Sequence, residues 1–283
     1  MKTIKDEATL RKYIPNAIAT VKGETPLFDK LTPFLQNAEL WVEQHITSAM
    51  VLSAIMENEE DESSLVLCRQ MVVAGAMMDA IPSLDVVLTP NGFGIVSNSN
   101  IAPASKERVR SLIDSMETIR DNAIEALLPF LMKREDWRDT EQGHFFQGTF
   151  FPNIDLTTLC GYTSHRWKQY LGLRHRTQQL EEQLAAEYIS SEQLDVLHEM
   201  NLKGSVSTIQ KRIIDKLRQV IVALLTENNA YAARHAPHRA LPDIVQMMRS
   251  HPEEFPQWHS SHVAKLFSPP IFENKKENKG YWF

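Results

Sequence analysis

Met71-Val72-Val73-Ala74-Gly75-Ala76-Met77-Met78 is the stretch on which the reading of the fold turns. It is apolar on every side, so a helix running through it has no face to offer to water and belongs at the centre of a bundle. Gly75 between two alanines permits a neighbouring helix to come close. The three methionines read as adaptable core packing rather than as a ligand groove. The expected helix covers residues 64–80, with Ser63 or Ser64 as its cap and Pro82 as its stop.

Upstream, Phe34, Ala38, Trp41, Val42, Ile46 and Ala49 advance in threes and fours, which predicts one amphipathic helix between Pro33 and Met56. The acidic run Glu57-Asn58-Glu59-Glu60-Asp61-Glu62 interrupts it and reads as a solvated loop. Downstream, Leu84-Asp85-Val86-Val87-Leu88, then Thr89-Pro90-Asn91-Gly92, then Phe93-Gly94-Ile95-Val96 predict a short β-hairpin, because Asn-Gly between apolar runs favours the tight turn. Gly92 and Gly94 lack the spacing and the following Lys-Ser/Thr of a phosphate loop. A long helix should follow from Ser105 to about Leu131, with a stripe including Val109, Leu112, Met116, Ile119, Ala123, Leu127 and Phe130.

The run His144-Phe145-Phe146-Gln147-Gly148-Thr149-Phe150-Phe151-Pro152 predicts a short β segment or ordered loop between two helical halves. Four phenylalanines cannot all stay in water, so Phe145, Phe146, Phe150 and Phe151 are candidate contacts, at the junction or with another subunit. Helical periodicity resumes at Trp167 and Tyr170 and gives a second helical hairpin over 192–199 and 206–228. From about Tyr231 a tail rich in proline and histidine is expected. Residues 268–283 should form an extended arm whose Tyr281, Trp282 and Phe283 are further candidate contacts.

The expected architecture is therefore mainly α: a helical domain over 1–140 with a hairpin near 84–96, an aromatic linker or β segment over 141–165, and a helical domain over 166–283. Sliding the chain by 143 places aligns Ile46 with Ile189, Val51 with Leu194, Arg69 with Arg212 and Met77 with Val220. Duplication and a coincidence of amphipathic pattern both explain that match.

Composition narrows the function. The 283 residues are 43 % hydrophobic and 23 % charged, ordinary globular usage that argues against disorder. With two cysteines, Cys68 and Cys160, the fold must rest on a core rather than on bridges. No uncharged apolar run nears the roughly 18 to 20 residues of a membrane span, and the first residues lack the apolar region of a secretion signal, so a soluble intracellular chain is expected. Net charge is −6, which argues against a general nucleic-acid binder. It is unevenly placed: residues 1–150 hold 14 Lys+Arg and 22 Asp+Glu, residues 151–283 hold 16 and 14.

No catalytic motif of the G-x-S-x-G, HExxH, C-x-x-C or Walker type occurs. No catalytic, cofactor-binding or metal-ligating residue is therefore assigned, and no cofactor is expected. Two readings from other classes stay open. His235, His238, His251, His259 and His262 cluster toward the C-terminal end, and pairs three apart suit a divalent metal if helical, although Pro237 interrupts the first pair. The strip Arg166-Trp167-Lys168-Gln169-Tyr170 through Arg174-His175-Arg176 interleaves cations and aromatics, making Arg166, Lys168, Arg174 and Arg176 candidate phosphate contacts.

The order Phe28…Ala38-Glu39…Ile46, the apolar helix with Arg69, Ile81-Pro82-Ser83-Leu84-Asp85-Val86-Val87-Leu88, and Gly92-Phe93-Gly94-Ile95 before Ala102-Pro103-Ala104-Ser105-Lys106 resembles an uncharacterised family of proteins encoded in Bacteroides-type phages and prophages. The resemblance covers Phe28 to Phe130, about a third of the chain, and carries no catalytic residues. It implies, by analogy, a virion structural protein of the head–tail connector. Such a protein would form a ring of its own copies, with portal or other connector proteins as partners, passing contact with DNA and no membrane. Its place would be the virion, or the host cytoplasm during assembly.

Overall fold

The computed structural model describes residues 3–14, 25–58, 61–84, 87–89, 92–94, 105–226 and 230–268, with backbone alone for 87–89, 92–94 and 230–238. The chain divides into two units, Met1–Arg176 and Thr177–Phe283.

In the first unit, α1 (Glu7–Arg11) is followed by α2 (Leu27–Val42), a π-turn (Glu43–Thr47), α3 (Ala49–Glu57) and α4 (Glu62–Leu84). Then come α5 (Lys106–Leu131) and the short helices α6 (Glu135–Arg138), α7 (Glu141–Gln147) and α8 (Asp155–Leu159). The central helix is α4, packed against α2 and α5, with Cys68, Met71, Val72, Val73, Ala74, Ala76 and Ala80 buried. A Cβ at Gly75 would lie 3.4 Å from Ala38 Cβ, so α2 passes at about van der Waals contact distance from this position. By length and apolarity α4 could cross a membrane, although charged residues interrupt its apolar run; 44 % of its most apolar 18 residues is buried within this fold. Helix α4 runs past Pro82, as α2 passes Pro33 and α5 passes Pro129. All three prolines are exposed, and the carbonyl that Pro129 leaves without a helix donor, Glu125 O, accepts from Asn153 Nδ2 at 3.0 Å.

Between α4 and α5 the backbone of Val87–Thr89 pairs antiparallel with Gly92–Gly94, Thr89 opposite Gly92. Three residues a side make no layer, and the fold is mainly α. Ser105 caps α5, its Oγ accepting from Arg108 N at 3.4 Å. Of the predicted stripe of α5, Ala123 and Leu127 are buried while Leu112, Ile119 and Phe130 are exposed; Ile124, Leu128 and Leu131, outside that stripe, are buried beside them.

Three expectations are corrected. Residues 34–56 are not one helix, because the π-turn and Ser48 part α2 from α3. The 141–165 stretch is neither β nor a linker. Thr140 Oγ1 accepts from Gly143 N at 3.0 Å and starts a helix there. Phe146, Phe150 and Phe151 are each no more than 1 % exposed inside the first unit, so the division falls later, within α9 (Arg166–Leu184). Residues 230–250 are helical through Pro237 and Pro242 rather than a tail.

The second unit continues from the end of α9 with a second π-turn (Ala185–Ile189), α10 (Ser191–Lys203), α11 (Thr208–Leu225), α12 (Ala230–Ser250), α13 (Pro256–Ser260) and α14 (His262–Leu266). From α9 on, this repeats the order α2, π-turn, α3, α4, α5, α6, α7. The repetition reaches the atoms. Each π-turn closes with an i to i+5 bond, Ser48 N to Glu43 O at 2.9 Å and Ser190 N to Ala185 O at 2.8 Å. Each serine takes a left-handed φ, 72° and 71°, and each caps the next helix, with Val51 N and Gln193 N donating to the serine Oγ at 3.3 Å.

In each unit a buried tryptophan closes the turn. Trp137 Nε1 donates to Ile46 O at 2.7 Å, and Trp258 Nε1 donates to Tyr188 O at 2.8 Å. Both carbonyls lie two residues before the serine. Such carbonyls have no partner within their own helix, and the indole N–H supplies it. Three residues beyond each tryptophan a hydroxyl caps the next short helix, Thr140 for α7 and Ser261 for α14. The residue before α4 and the residue before α11 are both tied to the segment leading into the tryptophan. Asp61 pairs with Arg134 at 2.5 Å, and Ser207 Oγ donates to the Glu254 carboxylate.

The register differs from the ungapped slide of 143. Ser190 lies 142 residues after Ser48, Ser207 lies 146 after Asp61 and Trp258 lies 121 after Trp137, because α10 outruns α3 and the α4–α5 connection exceeds its counterpart.

Candidate functional site

The first unit carries a concave aromatic surface over its π-turn. Trp41, in the last turn of α2, stacks on His45 with ring centroids 5.1 Å apart and planes 14° apart. Trp167, near the start of α9, meets Trp41 edge-on at 5.5 Å. Phe145 of α7 lies alongside, with the Arg174 guanidinium 4.1 Å from its ring centroid, and Arg120 stands 5.5 Å from the Trp41 ring. Such cation–ring contacts contribute roughly 0.5–1 kcal/mol at exposed sites.

Two cavities adjoin at Gln44. One, of about 380 Å³, is bounded by Trp41, Met78, Asp79 and Arg120; the other, of about 260 Å³, by His45, Gln142, Phe145, Trp167 and Leu171. Leu40 and Leu171, 49 % and 43 % exposed, add apolar surface.

The frame beneath is rigid for identifiable reasons. Gln142 Nε2 donates to Gln44 O at 2.9 Å and Glu43 O at 3.2 Å, binding α7 to the π-turn. Asp121, buried on α5, accepts from Trp167 N at 3.1 Å and from Arg120 Nη2 at 2.8 Å, which fixes the start of α9. Arg120 also reaches Glu117 at 3.4 Å, so its charge is committed locally. The surface therefore suits an apolar or aromatic side chain of a partner better than an anion.

The sequence-derived candidates are placed as follows. Phe145 is half-buried in this surface. Phe146, Phe150 and Phe151 are core residues of a single unit and are corrected as subunit contacts, since a side chain buried within its own chain cannot meet another. Tyr281, Trp282 and Phe283, with the arm that carries them, lie outside the described residues.

The proposed phosphate strip does not form one basic face. Arg166 donates to Thr157 Oγ1 at 3.3 Å and Asn122 Oδ1 at 3.0 Å and pairs with the Glu125 carboxylate, so it is held structurally. Arg174 covers Phe145, while Lys168 and Arg176 are exposed.

Of the histidines, His251 Nδ1 lies 2.8 Å from Met247 O and His259 Nε2 lies 2.9 Å from Met248 O. His262 is exposed, and the side chains of His235 and His238 are outside the described residues. Among the described residues no group of His, Cys, Asp and Glu is arranged to hold a metal.

Burial pushes the Cys68 thiol up to about 12, with Asp61 adding in the same direction, and burial alone pushes Cys160 up to about 11. Neither forms a nucleophilic thiolate near neutral pH. The hydrogen bond from Arg134 holds the Asp136 carboxyl below its ordinary value.

Sequence reasoning missed Trp41, His45 and the paired tryptophans. A signal was present in Trp137-Arg138-Asp139-Thr140 and Trp258-His259-Ser260-Ser261, a tryptophan three residues before a capping hydroxyl, but ungapped comparison could not bring the two together.

Residues 14–147 match the model of a family of unknown function, DUF6712. The match covers just under half of the chain and ends on the last residue of α7, so it spans the first of the two repeated helical arrangements. No curated protein and no solved structure matches the chain.

Proposed function

We propose that this chain is a non-enzymatic structural protein of a phage or prophage virion, a head–tail connector component that forms a ring of its own copies and seats on a portal or other connector protein. The observation that carries this reading is the repeated frame, in which a tryptophan N–H locks a π-turn twice over. We read the repetition as duplication of one helical module, whose first copy has a β-hairpin set between α4 and α5.

The groups that would serve chemistry are occupied in holding this frame: Arg166 on Glu125, Arg134 on Asp61 and Asp136, His259 on a backbone carbonyl. What the first unit presents is an aromatic concavity with exposed leucines beside it, the kind of surface that pairs with another protein. The charge asymmetry of the chain favours head-to-tail contact, in which dissimilar surfaces meet and a closing rotation gives a ring.

Sedimentation velocity over a wide concentration range, alone and with a phage portal protein, tests the reading. A discrete oligomer, alone or formed on the portal, is expected. A monomer throughout, with no affinity for portal or tail components, would overturn it.

A further inference from the structure

We propose that the exposed face of α14 in the second unit is the seat of an aromatic segment of this same chain, residues 279–283.

The argument rests on the internal repeat and is independent of the connector reading. In the first unit, Phe145 and Phe146 stand five and six residues after the capping Thr140. Rings from further along the chain cover them. Tyr170 lies 6.3 Å from Phe145 and 5.9 Å from Phe146, and Trp167 lies 6.2 Å from Phe146. Under that cover Phe146 is fully buried and Phe145 half-buried.

In the second unit, Leu266 and Phe267 stand five and six residues after the capping Ser261. Phe267 stacks on Tyr188 at 5.9 Å, over the second π-turn, yet it is only half-buried, and Leu266 is 63 % exposed. Among the described residues this unit has no tyrosine or tryptophan in the places that Trp167 and Tyr170 take in the first. Trp258 is the counterpart of Trp137, and Tyr188 of Ile46. Among the described residues the same frame thus presents the same apolar face without the same cover.

The chain that follows supplies matching chemistry at a matching distance. Trp167 lies 21 residues beyond Phe146; Trp282 lies 15 beyond Phe267. Fifteen residues extend to about 50 Å, ample for a return to the helix just left. Arg166-Trp167 with Tyr170 is a cation followed by aromatics, and so is Lys279 followed by Tyr281-Trp282-Phe283. Rings of that size lose most by remaining in water.

Trypsin cleavage of the native full-length chain after Lys275, Lys276 and Lys279 is the test, since local proteolysis follows the open fraction of a docked segment. Leu266→Glu puts a charge on the docking face at a position exposed enough to spare the fold, and Trp282→Ala removes the occupant. Each should speed cleavage about tenfold. Leu159→Glu, at a leucine of the first unit that is 57 % exposed, should leave the rate unchanged. Cleavage at wild-type speed in both Leu266→Glu and Trp282→Ala would overturn the proposal. So would protection that disappears on dilution, because the occupant would then be a second copy. If Leu266→Glu fails to fold, Trp282→Ala decides alone.

Discussion

Replacing Trp137 by phenylalanine removes one N–H and part of a ring from the lock on the first π-turn. Trp137 is fully buried, donates to Ile46 O at 2.7 Å and stacks on Phe146 at 6.0 Å. Loss of the donor leaves a buried carbonyl unpaired, which costs about 1–3 kcal/mol. The smaller ring leaves a void whose cost is a fraction of the roughly 3–5 kcal/mol of a full Trp→Ala truncation, about 1 kcal/mol. The sum is about 2–4 kcal/mol, a large share of the ~5–15 kcal/mol stability of an ordinary domain.

Urea denaturation followed by far-UV circular dichroism reads it directly. Incorporating the benzothienyl analogue of tryptophan, which keeps the shape and lacks the N–H, isolates the hydrogen bond at about 1–3 kcal/mol. Trp258→Phe should cost a comparable amount in the second unit, since its bond to Tyr188 O measures 2.8 Å and the ring is 2 % exposed. A Trp137→Phe protein within about 0.5 kcal/mol of wild type, the range of an inconsequential surface change, would refute the reasoning.

Other expected outcomes concern neighbouring features. Ser48→Ala should cost about 1 kcal/mol through the lost cap. Ser48→Gly should be nearly neutral, because glycine relieves the φ of 72° that serine pays for; equal losses in the two would contradict the role given to the backbone. Gly143→Ala should destabilise by about 1–3 kcal/mol in thermal melts, because a Cβ there would meet Trp137 O at 2.2 Å. Maleimide at pH 7 should label Cys160 slowly and Cys68 only after denaturation. Both folded thiols have raised pKa values, so each favours its neutral form, and the stability this confers declines as pH rises above the ordinary thiol value near 8.5. Rapid native labelling of Cys68 would show that α4 is not a central helix.

How far the sequence revealed this molecule depended on the range of each signal. The core of α4 was legible because eight successive apolar-to-small residues leave a helix no exposed face. The start of α5 was legible because a cap is local, with Ser105 three residues before the amide it accepts from. The break at Ser48 was not, because a π-turn adds one residue without disturbing the apolar spacing on either side. Phe150 and Phe151 were legible only as rings that must leave water, at a junction or against another subunit; both are buried within the first unit.

The repeat was visible as a blurred pattern. Its register shifts by four residues between the serines and the start of α11, and by more before Trp258, so no single offset aligns it. The aromatic groove was the least legible feature. It joins Trp41, Phe145 and Trp167 through the Asp121 bond to the start of α9, a contact between residues 46 apart.

Electron microscopy of the full-length chain mixed with a phage portal protein puts the proposed connector role to the most direct test. A ring of copies seated on the portal is the predicted image. Portal particles identical with and without the chain, at concentrations where the chain is in excess, would contradict it.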